Sequence, residues 1–261
     1  MRKLAFLFTM VIAMLFVSCG EDEPEQSFSP TPDSPGEIDA QVLDALKQEG
    51  SVVSYNIKGS KVFDYYFGYS QSWMENTEFY AVMDNEIKFQ NGKVWEPLFM
   101  ERPSTVVPGT ITIFQAYYTA TKNPVPKVYI TWAFDYDKSS RCLKIGREKF
   151  RLLELTVSSL TLGKISKIKG HEGWGDLGER MDVANYGVVE SLPIVIDENV
   201  QTFNTDLEYC RHLSKIAREH FGRFIDLDKI YQNVFYDDSP IDLDEYDRRL
   251  DRFEELSKKY D

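Results

Sequence analysis

Basic residues, histidine and cysteine are all scarce in this 261-residue chain, and each shortage narrows what it can do. Lys and Arg number 30 against 42 Asp and Glu, a formal net charge of −12. So acidic a chain repels phosphate backbones and anionic headgroups, which argues against nucleic acid as a partner and leaves the charge to keep a globule soluble. The histidines are His171, His212 and His220, with no His-x-x-x-His or Cys-x-x-Cys spacing anywhere. His212 and His220 fall on one helical pattern about 12 Å apart along its axis, too far to share an ion. The acidic cluster Asp237-Asp238 and Asp242-Asp244-Glu245-Asp247 lacks the central glycine and late glutamate of a calcium loop, and helix capping accounts for Asp242 and Glu245. No serine stands in Gly-x-Ser-x-Gly, and neither Cys142 nor Cys210 has a nucleophile context. The chain therefore reads as non-enzymatic, with no cofactor and no metal. A membrane-spanning run is missing too: the apolar stretch Leu4 to Val17 is 14 residues long, and a spanning helix needs about 20.

That short run has a different meaning in its setting. Met1-Arg2-Lys3 precedes it and Ser18-Cys19-Gly20 follows, the pattern of a cleavable export signal over residues 1–18. The block Leu15-Phe16-Val17-Ser18-Cys19 resembles the lipobox of bacterial lipoproteins, with Phe16 where that family usually has a smaller aliphatic residue. The resemblance implies cleavage before Cys19, its acylation, and a membrane partner held through the N-terminal lipid. More than one acyl chain gives stable anchorage at about 0.8 kcal/mol per buried methylene. Removing residues 1–18 takes away Arg2 and Lys3, so the charge deepens from −12 to −14. Residues 19–36 then read as an extended tether, since 20–36 hold four prolines, five acids and no base. Glu21-Asp22-Glu23 just after the cysteine resembles the export signal of surface lipoproteins, and a merely solvated linker explains it equally well. The expected location is the outer membrane, with the cell surface as one face.

Order begins with a helix capped by Ser34, with Pro35 in its first turn, Glu37 completing a capping box and Gly50 ending it. From Val52 the period changes to two. Phe63, Tyr65, Phe67 and Tyr69 alternate with polar or small residues, and Glu86–Phe89 runs into the hairpin signal Asn91-Gly92. Thr110–Ala120, rich in Thr, Ile, Phe and Tyr, continues this β-like region. The clearest alternation places Val128, Ile130, Trp132, Phe134 and Tyr136 on an inward face and sends Thr131 toward solvent. Arg141–Ile145, Phe150–Val157 and Leu160–Ile165 follow as short strands between tight turns. Residues 166–204 read as a less regular connector. Beyond it, Thr205 with Glu208 caps a helix that Gly222 ends, Asp226–Tyr236 suggests a short second helix, and Pro240–Lys259 a third.

Thr131-Trp132-Ala133-Phe134-Asp135, Leu143-Lys144-Ile145-Gly146 and Leu153–Leu162 resemble the closing strands of lipocalin-like domains. The resemblance covers about residues 50–165 and departs at Gly50-Ser51-Val52, where the family has Gly-x-Trp. It implies an antiparallel lipocalin-like β-barrel or meander, read over 37–165 with its leading helix, which with the helical extension over 205–261 makes an α+β chain. The barrel interior then holds a small ligand or is filled by side chains.

Cys142 and Cys210 either pair, stapling the β region to the helices, or stand apart as a strand thiol and a buried helix residue; spacing does not decide. Gly173-Trp174-Gly175-Asp176-Leu177-Gly178 satisfies G-x-G-x-x-G, yet a basic stretch precedes it and Gly187 soon follows, so a glycine loop is the reading. Trp174 in that loop is expected to be exposed, whereas Trp132 belongs to a packed strand; both are candidate ligand contacts. A small ligand, a glycan stacked on surface aromatics, and an envelope protein docked on the helices are the three partners compatible with this chain.

Overall fold

The computed structural model describes residues 30–98, 107–231 and 240–260. The expected signal, the lipobox with Cys19, and Asp237-Asp238 lie outside the described residues.

The fold is α+β. Its strands are β1 (Val52–Tyr66), β2 (Met74–Asn76), β3 (Glu86–Gln90), β4 (Lys93–Pro97), β5 (Lys127–Asp137), β6 (Cys142–Ile145), β7 (Glu148–Leu155), β8 (Ser159–Lys169), β9 (Asp176–Val189), β10 (Val200–Phe203), β11 (Phe224–Ile225) and β12 (Ile241–Asp242). The helices are α1 (Ala40–Leu46), α2 (Thr110–Thr121), α3 (Asp206–Phe221), α4 (Leu227–Tyr231) and α5 (Leu243–Tyr260). Ten strands form one sheet; β2 and β10 are appended, and the rest pair in the order β5-β4-β3-β1-β9-β8-β7-β6, with β6 returning to β5. Every pairing around this ring is antiparallel. At the β3–β4 turn Asn91 and Gly92 both take positive φ, 52° and 70°, which matches the right-handed strand twist.

Side chains fill the ring. Tyr55, Phe89, Leu152, Leu155, Leu160, Leu162 and Tyr186 are buried in one cluster, closed at one end by Leu43 and Leu46 of α1. A second core joins α2, α3 and α5 to the start of β5 through Ile113, Leu213, Tyr246, Leu250, Val128 and Ile130. Thr110, Cys210 and Tyr246 meet there, the two hydroxyls 2.8 Å apart. Arg211, Arg218 and Arg223 of the α3 side face Asp242, Asp244, Asp247, Asp251 and Glu254, so arginines occupy the acidic cluster.

Several expectations need correction. The first helix is capped by Asp39, whose carboxylate accepts from Gln41 N and Val42 N, and it spans only Ala40–Leu46. The described part of the tether lies on the body: Pro30 and Pro32 are buried, and Gly36 O accepts from Arg141 Nη2 at 2.8 Å. Polar, proline-rich composition hid that its backbone groups find partners. Thr110–Ala120 is helix, because Ile113, Phe114 and Ala116 bury a helical face and tertiary packing overrides β-branched preference. Residues 166–204 are no connector. β8 continues to Lys169, and β9 sits between β8 and β1 with Met181, Val183, Ala184 and Tyr186 buried. Its glycines disguised it; a Cβ at Gly178 would come within 2.2 Å of Tyr65 O, so the close strand demands glycine.

Thr131 does not face solvent. It is 5% exposed and its hydroxyl donates to Phe203 O at 3.4 Å. Beside it, residues 190–199 cross the outside of the ring on the way to β10. Gln90 brackets Ile194, its Nε2 donating to Ile194 O at 2.8 Å and its Oε1 accepting from Ile194 N at 2.7 Å. Lys88 Nζ holds Leu192 O at 2.6 Å, and Ser54 bonds Ser191 at 2.8 Å. This crossing strap goes with the burial of Ser54, Gln90, Trp95 and Thr131 on the outer face.

Candidate binding surfaces

β5 shares one of its edges between two neighbours. Residues 127–130 pair with β10, and residues 134–137 pair with β6. Between these stretches the edge is handed over, and there an open groove of about 290 Å³ forms, lined among others by Trp132, Lys93, Arg147, Asn204 and Thr205. Trp132 is half-buried and touches both cores from this position. Gly146 N donates to Ala133 O at 2.9 Å, which draws the β6–β7 turn against the indole. A Cβ at Gly146 would lie 2.5 Å from Trp132 Cε3, so one ring face is fixed against backbone.

The other side of the groove comes from α3. Thr205 caps this helix by accepting from Glu208 N at 3.1 Å, as expected from the sequence, while the Glu208 carboxylate reaches back one residue further than a capping box, to Asn204 N at 2.8 Å. Trp132 Nε1 donates to Glu96 Oε2 at 2.8 Å. Although Glu96 is an exposed residue, loss of water around its carboxyl raises its pKa, with the Trp132 bond opposing and the charges of Asp84 and Asp206 adding. Burial likewise raises Asp206, and Arg147 pulls the other way. The groove is lined by an indole, two cationic side chains, an amide and a hydroxyl, several of them already bonded within the protein, with the carboxyls of Glu96 and Asp206 close by. It can hold a small polar molecule by stacking and hydrogen bonds.

A second surface lies at the end of the long strands. β8 and β9 turn through residues 170–175, and Phe67 N donates to Leu177 O at 2.9 Å, which sets the β1–β2 turn beside it. Trp174 is 76% exposed and Tyr69 92%, with Phe67, Met74 and Leu177 also exposed. No helix follows Gly173–Gly178; strand β9 does, so the glycine pattern serves a hairpin. Just behind this tip, Asp64 is almost wholly buried and pairs with Arg180 through bonds of 2.8 and 2.9 Å. Asn76 adds a 2.6 Å bond, and the Arg180 guanidinium stacks 3.8 Å from the centre of the Phe79 ring. Desolvation pulls the Asp64 pKa up, and the bonds from Arg180 and Asn76 with the Arg180 charge together outweigh it, so the net shift is downward.

Trp132 and Trp174 therefore occupy two separate surfaces. Neither Cys142 nor Cys210 is disulfide-bonded: Cys142 lies in β6 and Cys210 is buried in the helical core, so the staple does not form. Among the described residues no group of three or more His, Cys, Asp or Glu is placed to hold a metal ion, and no helix is long and apolar enough to cross a membrane. Glu96, Arg147 and Asp206 escaped sequence reasoning, because only the fold brings β4, the β6–β7 turn and α3 together. Phe67 and Tyr69 were readable only as strand residues, and Leu177 only as part of a glycine loop. Family models, curated proteins and solved structures offer no match to the chain.

Proposed function

We propose that this chain is a non-enzymatic, lipid-anchored protein of an outer membrane, built on a lipocalin-like barrel that binds at the seam where β5 passes from β10 to β6. Cys19 carries the acyl chains, and the groove at Trp132 takes a sugar unit of a glycan. The observation that carries this reading is the filled ring: Tyr55, Phe89, Leu152, Leu162 and Tyr186 leave the interior to side chains, while the groove at the β5 seam presents an indole among donors and acceptors. Sugars present apolar C–H faces and a rim of hydroxyls, which suits that mixture of ring and polar groups. Docking of a protein on the apolar faces of α3 and α5 is disfavoured, since Cys210, Leu213, Ala217, Tyr246 and Leu250 are spent in their own core.

Two measurements test the reading. Cys19→Ala is expected to move the protein from membrane to soluble fractions; unchanged fractionation refutes the anchor. Tryptophan emission titrated with a panel of neutral and acidic oligosaccharides is expected to respond, and Trp132→Ala to abolish the response. A panel without any response, or one unaffected by that substitution, removes the groove from consideration.

A further inference from the structure

The tip of β1, β8 and β9 combines two features that have no reason to coincide in a free-standing domain. It exposes Trp174, Tyr69, Phe67, Met74 and Leu177 together, and an apolar cluster of that kind on a soluble globule marks a contact surface. It is also where the N-terminal segment lies. Asp33 Oδ2 accepts from Trp73 N at 2.7 Å, and Trp73, packed 5.7 Å from Tyr65, closes the β1–β2 turn. Asp33, three residues after the first described residue, therefore lies beside the tip. Pro30 and Cys19 are 11 residues apart in sequence, a span of at most roughly 36–40 Å.

We propose that this tip rests in the interfacial layer of the lipid bilayer that holds the acylated Cys19, with Trp174 and Tyr69 at headgroup depth and Phe67 and Leu177 beside them. The proposal rests on the lipid-anchor reading above. Trp and Tyr favour the membrane–water interface because each joins an apolar ring to a polar handle. The lysines around the tip suit the same position. Lys167 places its amine 5.3 Å from the centre of the Phe67 ring and pairs with Glu179, and Lys169 pairs with Asp176 at 2.7 Å. Their long stems cover apolar surface while the amines stay in water. Each is paired with an acid and Glu172 adds one negative charge in the turn, so the tip carries only a small net charge and seating it does not depend on anionic lipid. For a chain this acidic, a near-neutral apolar contact is the one way to approach a headgroup layer without repulsion.

The experiment uses the full-length acylated protein reconstituted in phosphatidylcholine vesicles whose acyl chains are brominated close to the headgroup. Bromine quenches indole emission only at short range, so wild type is expected to be dimmer than in unbrominated vesicles. Trp174→Ala is expected to lose most of that quenching, and Trp132→Phe to keep it. Vesicle sedimentation is expected to be unchanged in both variants, since the acyl chains hold the protein. Protein that sediments yet shows no quenching, or the same quenching without Trp174, overturns the tip contact and leaves the anchor standing. Protein that fails to sediment overturns the anchor and the tip contact with it. If a soluble oligosaccharide instead of the vesicle alters Trp174 emission, the tip is a sugar platform and the proposal is wrong.

Discussion

The two ends of β1, β8 and β9 are built from similar residues and have opposite fates. Near the ring, Tyr55, Leu162 and Tyr186 are sealed from water; past Asp64 and Arg180, Phe67, Trp174 and Leu177 stand in it. The same alternating aromatic and aliphatic pattern thus specifies a core at one end and a contact surface at the other. What separates them is whether opposing strands remain to pack against. The ring closes over the first, and the second has only the neighbouring turn.

The comparison breaks most easily at Leu162. Leu162→Ala removes a fully buried side chain and should cost about 2–5 kcal/mol in denaturant unfolding, whereas Leu177→Ala on the next strand should cost less than about 1 kcal/mol. Equal losses would mean that the tip belongs to the packed body. The boundary itself is tested at Asp64. Asp64→Ala leaves Arg180 without its carboxylate, and because that guanidinium keeps some water the loss should be about 2–3 kcal/mol, below that of a fully buried pair. Its depressed pKa carries a sign: the stability it contributes is complete above the ordinary carboxylate value near ~3.9 and is lost as pH falls through the lower folded value. An acid melt of Asp64→Asn should therefore lack part of the wild-type decline.

Smaller effects sharpen the contrast on the opposite side of the ring. Half-buried Trp132, replaced by Ala, should cost roughly 1–3 kcal/mol, short of the ~3–5 of a fully buried tryptophan. Thr131→Ala, which removes one buried hydroxyl bond, should cost about 1 kcal/mol. A negligible Thr131 effect would argue that the strap over residues 190–199 is loosely held. The smallest shift belongs to Trp174→Ala, within about 0.5 kcal/mol in thermal melts made without vesicles.

Local chemistry was the readable part of this chain. The Asn91-Gly92 hairpin, the Thr205–Glu208 cap, the Gly222 stop and the α3 stripe through Cys210, Leu213 and Ala217 all follow from short-range rules, and each is in the structure. The meander of β5 to β8 was legible for the same reason. Unreadable were features decided by distant neighbours. Thr110–Thr121 carries β-forming residues and is helical because α3 receives its apolar face. The glycines of β9 spoke for a loop, and only the approach of the Tyr65 carbonyl shows why a strand holds Gly178. Trp174 was expected outside and is outside, and Trp132 packs against both cores as its strand pattern implied, while also bordering a groove that Asn204 and Thr205 reach from more than 50 residues away in sequence.

The pairing of β1 with β9 sets an order of events. Tyr55 lies opposite Val188, so the first strand of the ring and the last are neighbours. Until residues 176–189 are available, β1 has an open edge on that side and the ring cannot shut, however early its other hairpins form. Pairings between strands so remote in the chain are slow to form and leave edges exposed while they wait. A chain delivered from its first residue onward therefore stays unclosed through most of its length, and closes only after its ninth strand arrives.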